Sequence, residues 1–332
     1  MENCELAYAC ADRGSPMTAH DIMPECRYFM NCALIQAERI KIKMKDYIVN
    51  VSGDSSRAAC LIKGTKNVLY DAGMAYSAGR MIEKLHYELD GAPLDAVILS
   101  HSHYDHVSGI PFLRKEWPDL RVYAGSYAAG VLEKPTVRDV IRGLNENAAR
   151  IGGLPLPEYD DNALFVDQVV KDYDMLTIGN HEIRVFETPG HTKCSLSYLV
   201  DDDILFASET IGVFKGDWYM PCYMVGYQMA LDSLEKLRQV PFRRLYVPHI
   251  GLHEGRPLPE TWEWLRECMV RTREEIETII KTYNTGEERI RAMLKCYHDG
   301  IVSEEEQPGE AFCLNAAATL RLVEKECREA KA

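Results

Sequence analysis

The chain has 332 residues, 46% hydrophobic and 27% charged, enough apolar content for one large soluble domain or two smaller ones. With 38 basic against 51 acidic residues the net charge is −13, which excludes a surface built to grip nucleic-acid phosphates. No apolar run approaches the roughly 18 residues of a membrane helix, and acids stand where a signal peptide carries basic residues, so a cytoplasmic chain with 11 reduced cysteines is expected.

Residues 1–30 show no periodicity and read as a lead-in; Cys4, Cys10, Cys26 and Cys32 are too irregularly spaced for a zinc knuckle. In residues 38–51, Ile40, Ile42 and Met44 alternate with lysines, the period of a half-buried strand. Two apolar runs flank Gly64-Thr65 and predict a hairpin ending in Asp71-Ala72-Gly73. A helix is expected over 77–89, with Met81, Ile82 and Leu85 on one face and Gly91-Ala92-Pro93 as its stop. Residues 94–100 form a continuous apolar run of strand length that leads directly into His101-Ser102-His103-Tyr104-Asp105-His106. A helix is expected from Val107 to Trp117 and a strand over 121–125. Residues 126–163 read as a broken helical insertion over a pocket. Strands are expected at 164–170, 175–178, 182–187, 196–200, 203–209 and 243–251, with an amphipathic helix at 231–240. Alternating strands and helices define a mixed α/β sheet architecture. From residue 259 the pattern turns wholly helical: a long helix after Pro259, a second over 286–298 with Thr285 and Glu288 as a capping box, and a third over 309–329. The expected division is a lead-in (1–30), an α/β domain (31–258) and a C-terminal helical extension (259–332).

Three histidines and an aspartate fall within six residues at a strand end. His101 and His103 are two apart, so an extended backbone points both the same way. Asp105 and His106 fall where the chain turns into a helix and face a second point nearby. This spacing suits two metal ions side by side. Imidazole and carboxylate favour zinc, iron or manganese. His191, Glu209 and His249 end strands elsewhere and are candidates to converge on the same edge.

The HSHYDH run resembles the HxHxDH signature of the metallo-β-lactamase superfamily. Asp71 in LYDAG, His191 in TPGHT and His249 in VPHIG are similar to its other motifs, in the same order over about residues 38–255. The resemblance implies an αββα sandwich with the metal site at one edge. It assigns His101, His103 and His191 to the first metal and Asp105, His106 and His249 to the second, with Asp71 orienting ligands. It implies two divalent metal ions, with zinc ahead of iron and manganese. The implied activity is hydrolysis of a small ester, thioester or lactone by a hydroxide between the metals, with Asp105 as ligand and proton carrier. The helical extension is similar in layout to that of glyoxalase II-like and quinolone-signal thioesterase members.

One departure matters. The family's bridging aspartate is replaced by Glu209, at the end of LFASE. Glutamate there resembles a minority branch that holds two irons, so a two-iron oxidoreductase of the same fold is the alternative. A regulatory binding protein with little turnover is a third reading. A flavodiiron role is disfavoured, because that branch carries a glutamate where His103 stands.

Lys193 is a candidate contact for an acidic substrate group, against a plain surface lysine. Tyr223 and Tyr227 lie in a stretch where family loops line the substrate pocket and are candidate substrate contacts, against ordinary core packing. Cys194 reads as a small packing residue, His86 and His181 as structural, and His253 as a loop residue. The partner expected is a small molecule, not nucleic acid or membrane. The helical tail is open to pairing with a second copy of the chain or to covering the pocket.

Overall fold

The central strands of this protein are apolar on both faces, and the layering explains why. The structure, a computed structural model, describes residues 47–303 and 308–330; the lead-in at 1–30 and most of the strand expected at 38–51 lie outside the described residues. Strands β1 (Ile48–Asn50), β2 (Cys60–Ile62), β3 (Val68–Tyr70), β4 (Ala96–Ile98), β5 (Arg121–Gly125) and β6 (Gln168–Val170) form one sheet in that order. The first three are antiparallel, and the expected hairpin at Gly64-Thr65 joins β2 to β3. From β3 onward the pairs are parallel. Parallel neighbours need helical crossovers. These are α1 (Ala78–Leu89), then α2 (Tyr104–Val107) with α3 (Ile110–Glu116), then α4 (Ser126–Leu132) with α5 (Pro135–Ile151).

The second sheet comprises β7 (Met175–Ile178), β8 (His181–Glu187), β9 (Leu196–Val200), β10 (Ile204–Phe206), β13 (Arg244–Val247) and β14 (Gly251–Leu252), in the spatial order β14-β13-β10-β9-β8-β7. Helix α6 (Tyr227–Arg238) carries the chain from β10 to its parallel neighbour β13. A separate hairpin, β11 (Val213–Lys215) with β12 (Trp218–Met220), lies between β10 and α6 in the chain.

The two sheets face each other. Tyr70 of the first packs against Phe206 of the second at 4.8 Å between ring centres and against Tyr246 at 5.8 Å. Their hydroxyls cross the gap: Tyr70 donates to the Ala207 carbonyl at 3.2 Å and Tyr198 to the Leu99 carbonyl at 2.8 Å. Alternate residues point outward. Leu69, Val97 and Val122 meet Met81, Leu85 and Leu113 of the helices on one side. On the other, Leu205, Leu245 and Val247 meet Leu234, Trp262 and Leu265. Strands covered on both faces read as continuous apolar runs.

The tail follows the expected pattern: α7 (Leu258–Thr282), α8 (Gly286–Tyr297) and α9 (Gly309–Glu329). Thr285 and Glu288 form the capping box, each side chain bonding the other's backbone N–H. These helices share the core of the second sheet through Trp262, Met269, Ile276 and Phe312. The helix expected over 107–117 differs: it begins at Tyr104 and breaks at Ser108-Gly109. Gly109 lies so close to the β3 exit that a Cβ there would stand 2.0 Å from the Ala72 carbonyl oxygen, and its N–H donates to the Gly73 carbonyl at 3.1 Å. Among the described residues, no helix is long and apolar enough to cross a membrane.

Candidate metal centre

Five strand exits open on one edge of the sandwich. Asp71 follows β3, the residues from His101 to His106 follow β4, His191 follows β8, Glu209 follows β10 and His249 follows β13. Asp71 (φ 55°) and His249 (φ 64°) sit in the left-handed region, which strains a residue bearing a Cβ and recurs at functional sites. Gly190 sets the turn before His191: at φ 144° a Cβ would lie 2.7 Å from the Ala230 Cα.

The hydrogen bonds determine which ring nitrogens are free. Asp71 accepts from the Ser100 backbone N–H and from the Ser100 hydroxyl, both at 2.7 Å. It also accepts from His106 Nδ1–H at 2.8 Å. The Ser100 hydroxyl has one hydrogen, already given to Asp71, so at 2.9 Å it accepts from His101 Nδ1–H. His191 Nδ1–H donates to the Cys222 carbonyl at 2.7 Å, and His249 Nδ1–H to the Ser56 carbonyl at 2.8 Å. Four imidazoles thus present a bare Nε2 to the interior. His101 Nε2 is buried with no hydrogen-bond partner, as suits a nitrogen that holds a metal.

Two groups of donors result. His101, His103 and His191 converge, with His103 Nδ1 3.1 Å from His191 Nε2; Asp105, His106 and His249 converge beside them. Glu209 stands between. Its Oε2 lies 3.3 Å from His191 Nε2, and its Oε1 lies 2.8 Å from His106 Nε2 and 3.1 Å from His249 Nε2. Asp105 Oδ2 is 3.3 Å from His106 Nε2 and 3.7 Å from His249 Nε2.

The electrostatics split the donors: His101 and His103 of the first group are held neutral, whereas the carboxylates around His106 and His249 favour on each a proton that a bound cation would displace. Burial and the neighbouring imidazoles push His101 well below the usual histidine range and His103 down to about 4, keeping both neutral. Burial opposes charge on His106, yet Asp105 and Asp71 on either side raise it well above the ordinary value. Burial likewise opposes charge on Asp105, which His106 nevertheless holds down at about 2. Glu209 is held well below the carboxylate range, against its burial, by His191 and His249. The donor set, imidazole nitrogens with carboxylate oxygens, fits a pair of divalent ions of the zinc, iron or manganese type.

The seven residues singled out as ligands in the sequence all reach this edge, and Asp71 lies behind them. Lys193 lines the cavity above and is exposed at its rim, 5.8 Å from the Tyr127 ring centre. Tyr223 and Tyr227 correct the expectation placed on them: neither lines the cavity. Tyr223 is buried in the core of the second sheet, its carbonyl accepting from Thr319 of α9 at 3.2 Å. Tyr227 lies against the C-terminal helices, under the Arg273 guanidinium at 5.0 Å. Cys194 is a buried packing residue, as expected. The sequence reading missed Ser100, Ser56 and Cys222. Ser100 lay one residue before the histidine run. Ser56 and Cys222 act through backbone carbonyls, for which no side-chain signal exists; the Cys222 thiol also lies within reach of His191 and Glu209.

Fold and site together define an αββα metalloprotein, and the comparisons name the family. The sequence model of the metallo-beta-lactamase superfamily matches residues 53–249. The chain belongs to this superfamily, whose members are mostly hydrolytic enzymes that bind divalent metals. Among curated proteins it is similar to a hydroxyacylglutathione hydrolase of Actinobacillus pleuropneumoniae, 27% identical over 47% of this chain and 51% of that one. It is also similar to a metallo-beta-lactamase fold-containing protein of Sulfurisphaera tokodaii, 26% identical over 70% and 85%. An anaerobic nitric oxide reductase flavorubredoxin homolog of Escherichia coli O157:H7 is 28% identical over 62% and 46%. The chain spans about half the length of the hydroxyacylglutathione hydrolases it matches. Among solved structures, an archaeal superfamily protein from Sulfolobus tokodaii overlays with a TM-score of 0.54 at 17% identity, covering 84% of this chain and 97% of that one.

Proposed function

We propose that this protein is a dinuclear metal-dependent hydrolase of a small ester, thioester or lactone, acting in the cytoplasm. His101, His103 and His191 would hold one metal and Asp105, His106 and His249 the other, with the Glu209 carboxylate available to both. The observation that carries the reading is the position of Glu209, one oxygen toward each histidine group. Bound there, the ions supply Lewis acidity toward an acyl oxygen and lower the pKa of a water to about 7. Asp71 and Ser100 keep the His101 and His106 tautomers with Nε2 bare. Asp105 lines the cavity, where its carboxylate would pass on the proton that the attacking water gives up.

The same Glu209 favours a second reading, a two-iron oxidoreductase. Elemental analysis of protein purified in air and anaerobically separates them. About two zinc per chain with ester turnover supports the hydrolase, whereas about two iron with oxygen consumption supports the oxidoreductase. His103→Ala should strip metal and abolish turnover while leaving the sheets folded. Retention of metal and activity would refute the assigned site.

A further inference from the structure

Above the histidine–carboxylate cluster opens a cavity of about 680 Å³, within the range that takes a small organic molecule. Two helices face it from different parts of the chain. On α5, Val137, Val140, Ile141 and Leu144 line it at the i, i+3, i+4, i+7 spacing of an apolar stripe. On α9, Ala311, Leu314 and Ala318 line it at i, i+3 and i+7, with the polar Asn315 at i+4. Such stripes ordinarily pack on protein. Here they border open space, and Val140 remains 61% and Leu314 53% exposed. Asn147 Nδ2 donates to Glu310 Oε2 at 2.6 Å, so the two helices are tied together beside the cavity. Apart from the histidines, Asp105 and Glu209, the only charged side chains among the described lining residues are Lys193 and Lys215, and no arginine is present. Recognition of a phosphate-rich group calls for more cations than this.

On the hydrolase reading above, we infer that the substrate carries a bulky apolar acyl group, received between the α5 and α9 stripes with its carbonyl at the metal centre. The cavity is then a specificity pocket in which each added methylene is withdrawn from water.

The test uses the metal-loaded protein and p-nitrophenyl esters from acetyl to decanoyl. Burial of a methylene raises kcat/KM about fourfold, so hexanoyl should exceed acetyl by about two-hundredfold. Leu314→Asp and Val140→Asp, at exposed positions that place no charge in the core, should each lower the hexanoyl-to-acetyl ratio at least tenfold. A second readout does not depend on turnover: by calorimetry, metal-free protein should bind octanamide at least tenfold more tightly than butanamide, and Leu314→Asp should erase the preference. Turnover that is flat or falls along the acyl series would overturn the apolar pocket and leave the hydrolase standing. No turnover of any ester despite two bound metals, with the amide preference intact, would refute the hydrolase and support the pocket as an apolar binding site. Loss of chain-length preference in both assays would overturn the inference outright.

Discussion

Replacing Asp71 by Asn isolates a single proton relay. The substitution keeps size and suits the left-handed backbone, since asparagine tolerates φ near 55°. It leaves one acceptor oxygen where the carboxylate offered two, against three donors: the Ser100 N–H, the Ser100 hydroxyl and His106 Nδ1–H. The backbone N–H cannot turn, and leaving it unpaired in this buried site would cost about 1–3 kcal/mol, so the amide oxygen stays there. The new NH2 then faces the Ser100 hydroxyl and His106 Nδ1. Both must become acceptors. The His106 proton moves to Nε2, the Ser100 hydroxyl turns to donate to His101 Nδ1, and the His101 proton also moves to Nε2. Each metal group loses one bare nitrogen. Disturbing such an orienting partner lowers metal affinity about 10- to 100-fold, or about 1.4–2.7 kcal/mol for each metal. Competition with a chromophoric chelator reads both affinities, and a urea titration checks that the fold survives. If both affinities stay within about threefold of the parent, the tautomer argument is wrong.

Three further outcomes follow from the same geometry. Gly190→Ala should displace His191, because its Cβ would meet Ala230 at 2.7 Å; chelator competition should show one metal lost preferentially, and two equally bound metals would contradict this. Stripping metal should lower thermal stability, because a ligand held at 1,000 times its dissociation constant contributes about 4 kcal/mol to the folded state; identical melting of apo and loaded protein would argue against a site at all. Trp262→Ala should cost about 3–5 kcal/mol in urea unfolding, because this side chain fastens α7 to the second sheet; a cost below about 1 kcal/mol would show that the helical tail contributes little to the common core.

The reach of the sequence differs from residue to residue. The strand at 94–100 was legible because burial on both faces leaves an unbroken apolar run, and the histidines were legible because they follow it within six positions. Thr285 and Glu288 announced their helix because a capping box is a contact between near neighbours. Tyr223 and Tyr227 misled, because an aromatic stretch has the same composition in a pocket wall as in a core. The stripe from Val137 to Leu144 reads as an ordinary core face until the structure sets it against open space.

From sequence alone came the donors, their order along the chain and their placement at strand ends, since these depend on side-chain chemistry and short-range periodicity. Only the tertiary structure decided how they meet. Glu209 faces both histidine groups because β4, β8, β10 and β13 open on one edge, although His106 and His249 are more than a hundred residues apart. It also decided which nitrogens are bare, because the Ser56 and Cys222 carbonyls that hold His249 and His191 are backbone atoms every residue carries. A pattern in sequence records what a side chain prefers, whereas these contacts depend on where the fold brings the main chain.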